Sequence, residues 1–162
     1  MHLTAVALAF STAVAPPVHV AGPLTVYDTA LAPVGSEASV LSWATPGGGT
    51  FVLLHVEGLL PNRDYGAHAH TKPCGLNPAD AGPHFQHLPG GATDPAYANP
   101  DNEIWLDFTT NARGTGLAAT RVAWTFTDRH AASVVVHAEH THTDPGHAGT
   151  AGARLACLTV PF

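Results

Sequence analysis

The chain has 162 residues, a formal charge of −6 at pH 7, and twelve histidines against six lysines and arginines. This length allows one domain with a well-packed core, because a chain of about 150 residues buries close to 70% of its unfolded surface. The lack of a lysine or arginine cluster argues against nucleic acid and anionic membranes as partners, since both need a basic surface. No apolar run reaches the roughly 20 residues that a membrane-spanning helix requires. The excess of histidine points to metal chemistry.

The first fifteen residues, MHLTAVALAFSTAVA, are typical of a secretory signal, because an apolar stretch leads to Ala13 and Ala15 just before two prolines. A basic start is missing, so an ordinary first strand is the alternative. We predict a signal remnant or N-terminal extension over residues 1 to 20 and one domain over residues 21 to 162.

A secreted or extracytoplasmic chain would oxidise Cys74 and Cys157, whereas two buried free thiols are the alternative. The oligomeric state stays open, with a monomer favoured.

The rest of the chain follows the pattern of short strands separated by turns. Val, Leu, Thr and aromatic residues alternate between clusters rich in Gly and Pro, and no long helical pattern interrupts them. Together these features predict an all-β, antiparallel sandwich or flattened barrel of about eight strands. Two long loops, 71 to 101 and 138 to 153, contain histidines, and long loops in compact domains are usually functional. Besides the segment that contains His68 and His70, the predicted strands cover residues 23 to 30, 36 to 44, 49 to 59, 104 to 110, 117 to 126, 132 to 139 and 153 to 162.

Four histidines lie in three short extended segments and suggest a metal site. His68 and His70 are two residues apart, so in a strand both project from one face with their imidazoles roughly 6 to 7 Å apart. Such a pair alone is a weak signal, but His84 and His137 offer a third and a fourth nitrogen at predicted strand ends. Imidazole ligands without a nearby pair of free thiolates favour copper. Ordinary half-exposed or core histidines are the alternative for each residue.

The order of these motifs resembles that of the copper-zinc superoxide dismutase family. HAH followed by a cysteine, then AGPHF, VVVH and GTAGARLAC, occur in the same order with compatible spacings over residues 23 to 162. The resemblance implies a Greek-key β-barrel of the sandwich type. It also implies that Cys74 and Cys157 form an intrachain disulfide and that Arg154 guides anions. The implied copper ligands are His68, His70, His84 and His137, of which His84 takes the position of the histidine that bridges two metals in the family.

The chain departs from the family in the segment that supplies the zinc ligands. After His84, the stretch HLPGGATDPAYANPDNE contains only His87, and Asp94 and Asp101 offer oxygens alone. A zinc site with three nitrogens cannot be assembled from it. The chain therefore resembles the copper-only branch, with copper present and zinc absent. A ligating histidine needs a partner for its other ring nitrogen; Glu103 is our candidate partner for His84, and Asp101 is the fallback.

The function implied by the resemblance is the dismutation of superoxide to dioxygen and hydrogen peroxide. His84 would carry protons, and Arg154 would hold the small anion beside copper. The loop from 138 to 153 contains no lysine, so electrostatic steering should be weak. The alternative is a module of the same fold that holds or delivers copper with little turnover; the presence of Arg154 favours the enzyme. In that loop His140, His142 and His147 are either solvated residues or a second metal site or copper-loading surface.

Overall fold

A computed structural model describes residues 16 to 162 of the protein. The possible signal at residues 1 to 15 lies outside the described residues. Within residues 16 to 162, nine strands form two antiparallel sheets, which confirms the predicted all-β sandwich class. The four-stranded sheet has the order β1 (Val18–Pro23), β3 (Glu37–Ala44), β4 (Thr50–Glu57) and β7 (Gly116–Val122). The five-stranded sheet has the order β2 (Thr25–Val26), β9 (Arg154–Thr159), β8 (Ser133–His137), β5 (Asp64–His70) and β6 (Phe108–Thr109).

The core lies between the two sheets and follows from the alternation along each strand. In β4 every second residue, including Val52, Leu54 and Val56, is buried, while the residues between them are partly exposed. Across the sandwich, the small side chains of Ala67 and Ala69 in β5 face the same core. Because successive side chains of a strand point to opposite faces, the histidines of β5 must lie on the outer face of the five-stranded sheet.

The outer face of the five-stranded sheet is covered by the two long segments between strands. One runs from β5 to β6 and contains a short 3-10 helix, Pro78–Ala81, and the other joins β8 to β9. As a result, β5 is buried on both faces, and His68 and His70 are fully buried. At Gly66, directly opposite His137 in the sheet, an added Cβ would lie 2.5 Å from the carbonyl oxygen of Glu139. The second long segment is thus packed directly on the sheet.

Several strand predictions differ from the structure at their boundaries. Strand β1 begins at Val18, within the segment assigned to the N-terminal extension, and pairs along its length with β3. The strand predicted over residues 23 to 30 is reduced to β2, because the Asp28 carboxylate accepts hydrogen bonds from the backbone N–H groups of Ala30 and Leu31. Such a side-chain turn replaces the sheet hydrogen bonds.

The two predicted strands after residue 103 are also shorter than expected. The strand predicted over residues 104 to 110 is reduced to β6, although Trp105 forms an isolated bridge with His68. The strand predicted over residues 117 to 126 ends at Val122. Beyond it, the Thr50 hydroxyl donates to the carbonyl of Trp124, and the Trp124 indole donates to the carbonyl of Asp101. These side-chain bonds take the place of further strand pairing.

Cys74 and Cys157 form a disulfide, as predicted, with 5.8 Å between their Cα atoms. It links the segment after β5 to the middle of β9, and closes a loop of 83 positions. In the chain-entropy description a loop of this length stabilises the fold by about 4 to 5 kcal/mol. Disulfides of this kind are common in extracytoplasmic proteins.

Within residues 16 to 162, none of the helical segments has the length and apolar character needed to cross a membrane.

Candidate metal centre

The four histidines predicted as ligands come together on the outer face of the five-stranded sheet. One ring nitrogen from each of His68, His70, His84 and His137 lies within 4.8 Å of the other three. The first two belong to β5, and His137 ends the neighbouring β8, where it lies diagonally across from His68. His84 comes from the long segment after β5 and forms an isolated bridge with His70. The arrangement can hold one metal ion.

Hydrogen bonds to three of the rings assign their tautomers. His70 donates its Nδ1–H to the carbonyl oxygen of Gly82 at 2.9 Å, and His137 donates its Nδ1–H to that of Gly152 at 3.4 Å. The Nδ1 of His84 lies 2.9 Å from a carboxylate oxygen of Glu103. Carbonyl and carboxylate oxygens only accept, so each Nδ1 must carry the hydrogen. The Nε2 of each neutral ring is therefore left with a free lone pair.

The tautomer of His68 is assigned by a chain of two hydrogen bonds and is the opposite one. The Thr141 hydroxyl donates to the carboxylate of Asp107 at 2.7 Å, so its oxygen accepts the Nε2–H of His68 at 2.7 Å. The Nδ1 of His68 is buried and has no hydrogen-bond partner. A buried polar atom without a partner is costly unless a ligand satisfies it. A metal ion bound by the four rings would do so.

The distance between two of these lone pairs also fits a bound cation. The Nε2 atoms of His70 and His137 are 3.3 Å apart, although neither carries a hydrogen in the assigned tautomers. Two acceptors in contact repel each other. With metal–nitrogen bonds of about 2.0 to 2.1 Å, however, two ligand nitrogens are expected roughly 2.9 to 3.4 Å apart in square-planar or tetrahedral geometry. The spacing is that of a pair of metal ligands.

Burial keeps three of the imidazoles neutral and ready to bind metal. Burial, followed by electrostatic repulsion from the neighbouring His84 ring, lowers the pKa of His70 to about 2 and that of His137 to about 3. Burial also holds the pKa of His68 well below its ordinary range, with the neighbouring histidines acting in the same direction. A metal ligand must be deprotonated to bind. At neutral pH, protons therefore compete little with a metal ion for these rings.

Glu103 is buried and contacts the site in the way proposed for the partner of His84. Its Oε2 accepts from the His84 ring at 2.9 Å and from the Trp105 indole at 2.7 Å, while Oε1 accepts from the amide of Gln86 at 2.9 Å. Three donors hold the carboxylate in one orientation. The fallback candidate, Asp101, has an exposed side chain and makes no side-chain hydrogen bond to His84. Of the two acids, Glu103 alone contacts the ring.

Arg154 lies at the edge of the site and lines the same cavity as His84 and His137. The bulge between β8 and β9 places it opposite His137 in the sheet. Its guanidinium donates one hydrogen bond to the carbonyl oxygen of Pro78 at 2.9 Å. Burial lowers the pKa of this guanidinium, and the nearby Tyr27 acts in the opposite direction. Arginine stays protonated in proteins, so the cavity contains a fixed positive charge.

The remaining histidines of the two loops lie apart from the four-histidine group. The ring of His87 stacks on Trp124, with 4.9 Å between centroids and 3° between planes. His140 contacts the carbonyl of Phe108, and His142 contacts the carboxylate of Glu139. His147 contacts Asp144. Among residues 16 to 162, the four-histidine group is the one cluster whose ligand atoms converge closely enough for a metal.

Asp107, Thr141 and Trp105 contact the site but were not predicted from the sequence. The alternation of apolar and other residues over positions 103 to 108 could have predicted two of them, Trp105 and Asp107. The apolar residues Ile104, Leu106 and Phe108 alternate with Glu103, Trp105 and Asp107, so in an extended segment the two sets face opposite sides. Glu103, Trp105 and Asp107 all contact the histidine site or its hydrogen-bond partners. For Thr141 no such signal exists, because it is 73 residues from His68 and lies in the segment between β8 and β9.

A scan against protein-family models found no match for this chain, and a search of the curated proteins found none either. The features that indicate a function are therefore the residues of the site and the motifs that they form.

Proposed function

We propose that the protein is an extracytoplasmic, copper-dependent superoxide dismutase of the copper-only type. The observation that carries the proposal is the convergence of four imidazole lone pairs beside an arginine that lines the same cavity. The four lone pairs account for one bound metal, and the arginine accounts for a small anionic substrate. The order of the sequence motifs supports the same function.

The donor set fits copper. All four ligand atoms are imidazole nitrogens, and the two cysteines are joined in a disulfide, so no thiolate is present among residues 16 to 162. Imidazole suits copper, zinc, iron and nickel, and the choice of copper among these follows from the resemblance of the motifs. When bound, copper would supply one-electron redox chemistry, accepting an electron from one superoxide and returning it to a second.

His84 is placed to move the protons that formation of hydrogen peroxide requires. It is the most exposed of the four ligands, with 17% of its side chain accessible, and it lines the cavity. Its Nδ1–H is held by the Glu103 carboxylate, so a transferable proton would be carried at Nε2 whenever that nitrogen is not bound to the metal. Imidazole exchanges protons readily near neutral pH. Glu103 would hold the ring in place while its Nε2 binds or releases the proton.

Arg154 would bind superoxide next to the four histidines. One of its N–H groups is engaged by the carbonyl of Pro78, which also fixes the side chain. The planar fork of an arginine provides further donors at fixed angles and suits a small anion. Since the whole chain has a charge of −6, this local charge, rather than the overall field, must attract the substrate.

A zinc site beside His84 is not part of the proposal. The Nδ1 of His84 is hydrogen-bonded to Glu103, and the ring of His87 is stacked on Trp124. The carboxylate of Asp94 accepts a hydrogen bond from the backbone N–H of Ala96. Glu103 thus occupies the position beside His84 at which a second metal would have to bind.

The alternative is a module of the same fold that stores or delivers copper. The exposed side chains of His140, His142 and His147, which are 47, 48 and 70% accessible, favour it because they offer ligands for incoming metal. A superoxide-decay assay on protein loaded with one equivalent of copper separates the two functions. If the protein is an enzyme, superoxide should decay far faster with the copper-loaded protein than in buffer that contains the metal-free protein. A loaded protein with no such acceleration would leave the copper module as the function.

A further inference from the structure

The cavity at the four histidines is much larger than a diatomic anion needs. It has a volume of about 470 Å³, and its lining includes His84 and Arg154 as well as Pro89 and Ala92 of the segment after β5. Binding sites for small organic molecules have volumes of roughly 300 to 1,000 Å³. The part of the cavity beyond Arg154 therefore has room for the body of a larger ligand.

The charges that line the cavity favour an anion. Two guanidinium groups, those of Arg154 and Arg129, lie in its wall. Both donate to backbone carbonyl oxygens, Arg154 to that of Pro78 and Arg129 to those of Gln86 and His87. Within residues 16 to 162, neither forms an ion pair with a carboxylate. A guanidinium without a carboxylate partner in a partly enclosed cavity attracts an anionic ligand.

The one carboxylate in the wall does not offset this preference. It belongs to Glu103, which is 1% exposed and already accepts hydrogen bonds from His84, Gln86 and Trp105. Its two oxygens are turned toward these donors. A ligand carboxylate can therefore approach Arg154 without meeting an unpaired negative charge.

The rest of the wall is mainly apolar and favours an organic ligand over an inorganic ion. Its lining includes Pro83, Pro89, Ala92 and Ala151, together with three glycines. Three threonines, at positions 71, 93 and 150, also line the cavity. Such a wall, with a small number of placed polar groups, is typical of sites for small organic ligands.

We propose that this cavity binds a small aromatic monocarboxylate about the size of benzoate. Its carboxylate would be held by the planar fork of Arg154, and its ring would lie against the wall that contains Pro89 and Ala92. A rigid ring loses little conformational freedom on binding, so a cavity of modest depth can retain it. The binding does not require the proposed dismutase activity, although a bound carboxylate would occupy Arg154 and exclude superoxide.

The test uses the metal-free protein, so that direct binding of the probe to metal is excluded. Benzoate, acetate and benzamide are titrated by calorimetry and by amide chemical shifts. Acetate has the charge without the ring, and benzamide has the ring without the charge. We expect saturable 1:1 binding of benzoate with a Kd in about the millimolar range or tighter, and binding of the other two at least about tenfold weaker.

Variants test where the carboxylate and the ring of benzoate bind. Arg154→Ala should weaken benzoate binding about tenfold or more, with Arg154→Lys between, because the ammonium keeps the charge but not the fork. Ala92→Trp should weaken benzoate binding by filling the wall while leaving acetate binding unchanged. Arg121→Ala is the control, since Arg121 is exposed on β7 in the other sheet. Circular dichroism of each variant shows whether the fold is kept.

Three results would overturn the proposal. Equal affinities for acetate and benzoate would mean that Arg154 binds anions without any contribution from the cavity. Equal affinities for benzamide and benzoate would mean that charge has no part in binding. The absence of saturable benzoate binding to the folded wild type up to about 20 mM, well above the expected millimolar Kd, would remove the site altogether. None of these results bears on superoxide decay by the copper-loaded protein, so the two proposals fail independently.

Discussion

The Nδ1 of His84 lies 2.9 Å from Oε2 of Glu103, and the same oxygen accepts the indole N–H of Trp105 at 2.7 Å. This contact links the most exposed of the four converging histidines to a buried carboxylate. Hydrogen-bond partners of metal-binding histidines typically contribute about 10- to 100-fold in metal affinity.

We therefore expect Glu103→Leu to lower copper affinity by about 10- to 100-fold, measured by competition with a chelator. Glu103→Gln should have a smaller effect, because the amide oxygen can still accept from His84. Asp101→Asn is the matched control, since the side chain of Asp101 is exposed. If Glu103→Leu retained wild-type affinity, the assignment of Glu103 as the partner of His84 would be refuted.

The convergence of four imidazoles predicts one copper per chain. Native mass spectrometry should show one tightly bound copper, and His70→Ala or His137→Ala should remove it together with activity. Replacement of the exposed His147 should leave this copper in place. A full equivalent of zinc beside copper that disappears in His87→Ala would contradict the copper-only assignment.

If Arg154 guides superoxide, Arg154→Ala should keep copper bound while lowering the second-order rate about tenfold or more, within the range of electrostatic focusing. Arg154→Lys should fall between the two, because the charge is kept and the fork is lost. Raising the ionic strength should slow the wild type and have much less effect on Arg154→Ala. Stopped-flow superoxide decay measures each rate. Equal salt dependence in both proteins would mean that Arg154 does not steer the substrate.

The disulfide between Cys74 and Cys157 should be complete in protein matured under oxidising conditions. Alkylation in denaturant without reductant should then label no thiol. Cys74→Ser should lower the free energy of unfolding by about 2 to 5 kcal/mol in urea denaturation. Because the bridge anchors the segment that contains Pro78, the hydrogen-bond partner of Arg154, the variant should also react more slowly with superoxide. Stoichiometric labelling of the native protein would disprove the bridge.

The metal-free protein should lose stability as the pH falls below about 6.5. The folded-state pKa is about 2 for His70 and about 3 for His137, whereas an unfolded chain has 6.5 for both. Between these values the unfolded state binds more protons, so each histidine costs about 1.4 kcal/mol per pH unit as the pH falls. Above pH 6.5 this penalty is absent.

Urea denaturation from pH 7 to pH 4 tests this dependence. His137→Gln should reduce the slope by about 1.4 kcal/mol per pH unit, since one of the buried histidines is removed. His147→Gln should leave the slope unchanged, because that side chain is 70% exposed. A slope unaffected by His137→Gln would show that this ring does not remain neutral in the folded protein.

The sequence by itself determined the fold class and identified the four histidines as candidate metal ligands. A period of two along β4 and the Gly and Pro clusters between strands specify a sandwich, because each strand has to bury one face. The spacing of His68 and His70 likewise places both on one face of a strand. These are properties of neighbouring residues in the chain, so they can be inferred without a tertiary structure.

The tertiary structure alone decided which nitrogen of each histidine is free and how much of the cavity is open. The tautomer of His68 depends on Thr141 and Asp107, which are far from it in sequence and meet it only because the two long segments pack on the same face of the sheet. Strand boundaries were predicted poorly where side chains such as those of Asp28 and Thr50 replace backbone pairing. Hydrogen bonds between distant segments have no pattern along the sequence, which is why they could not be predicted.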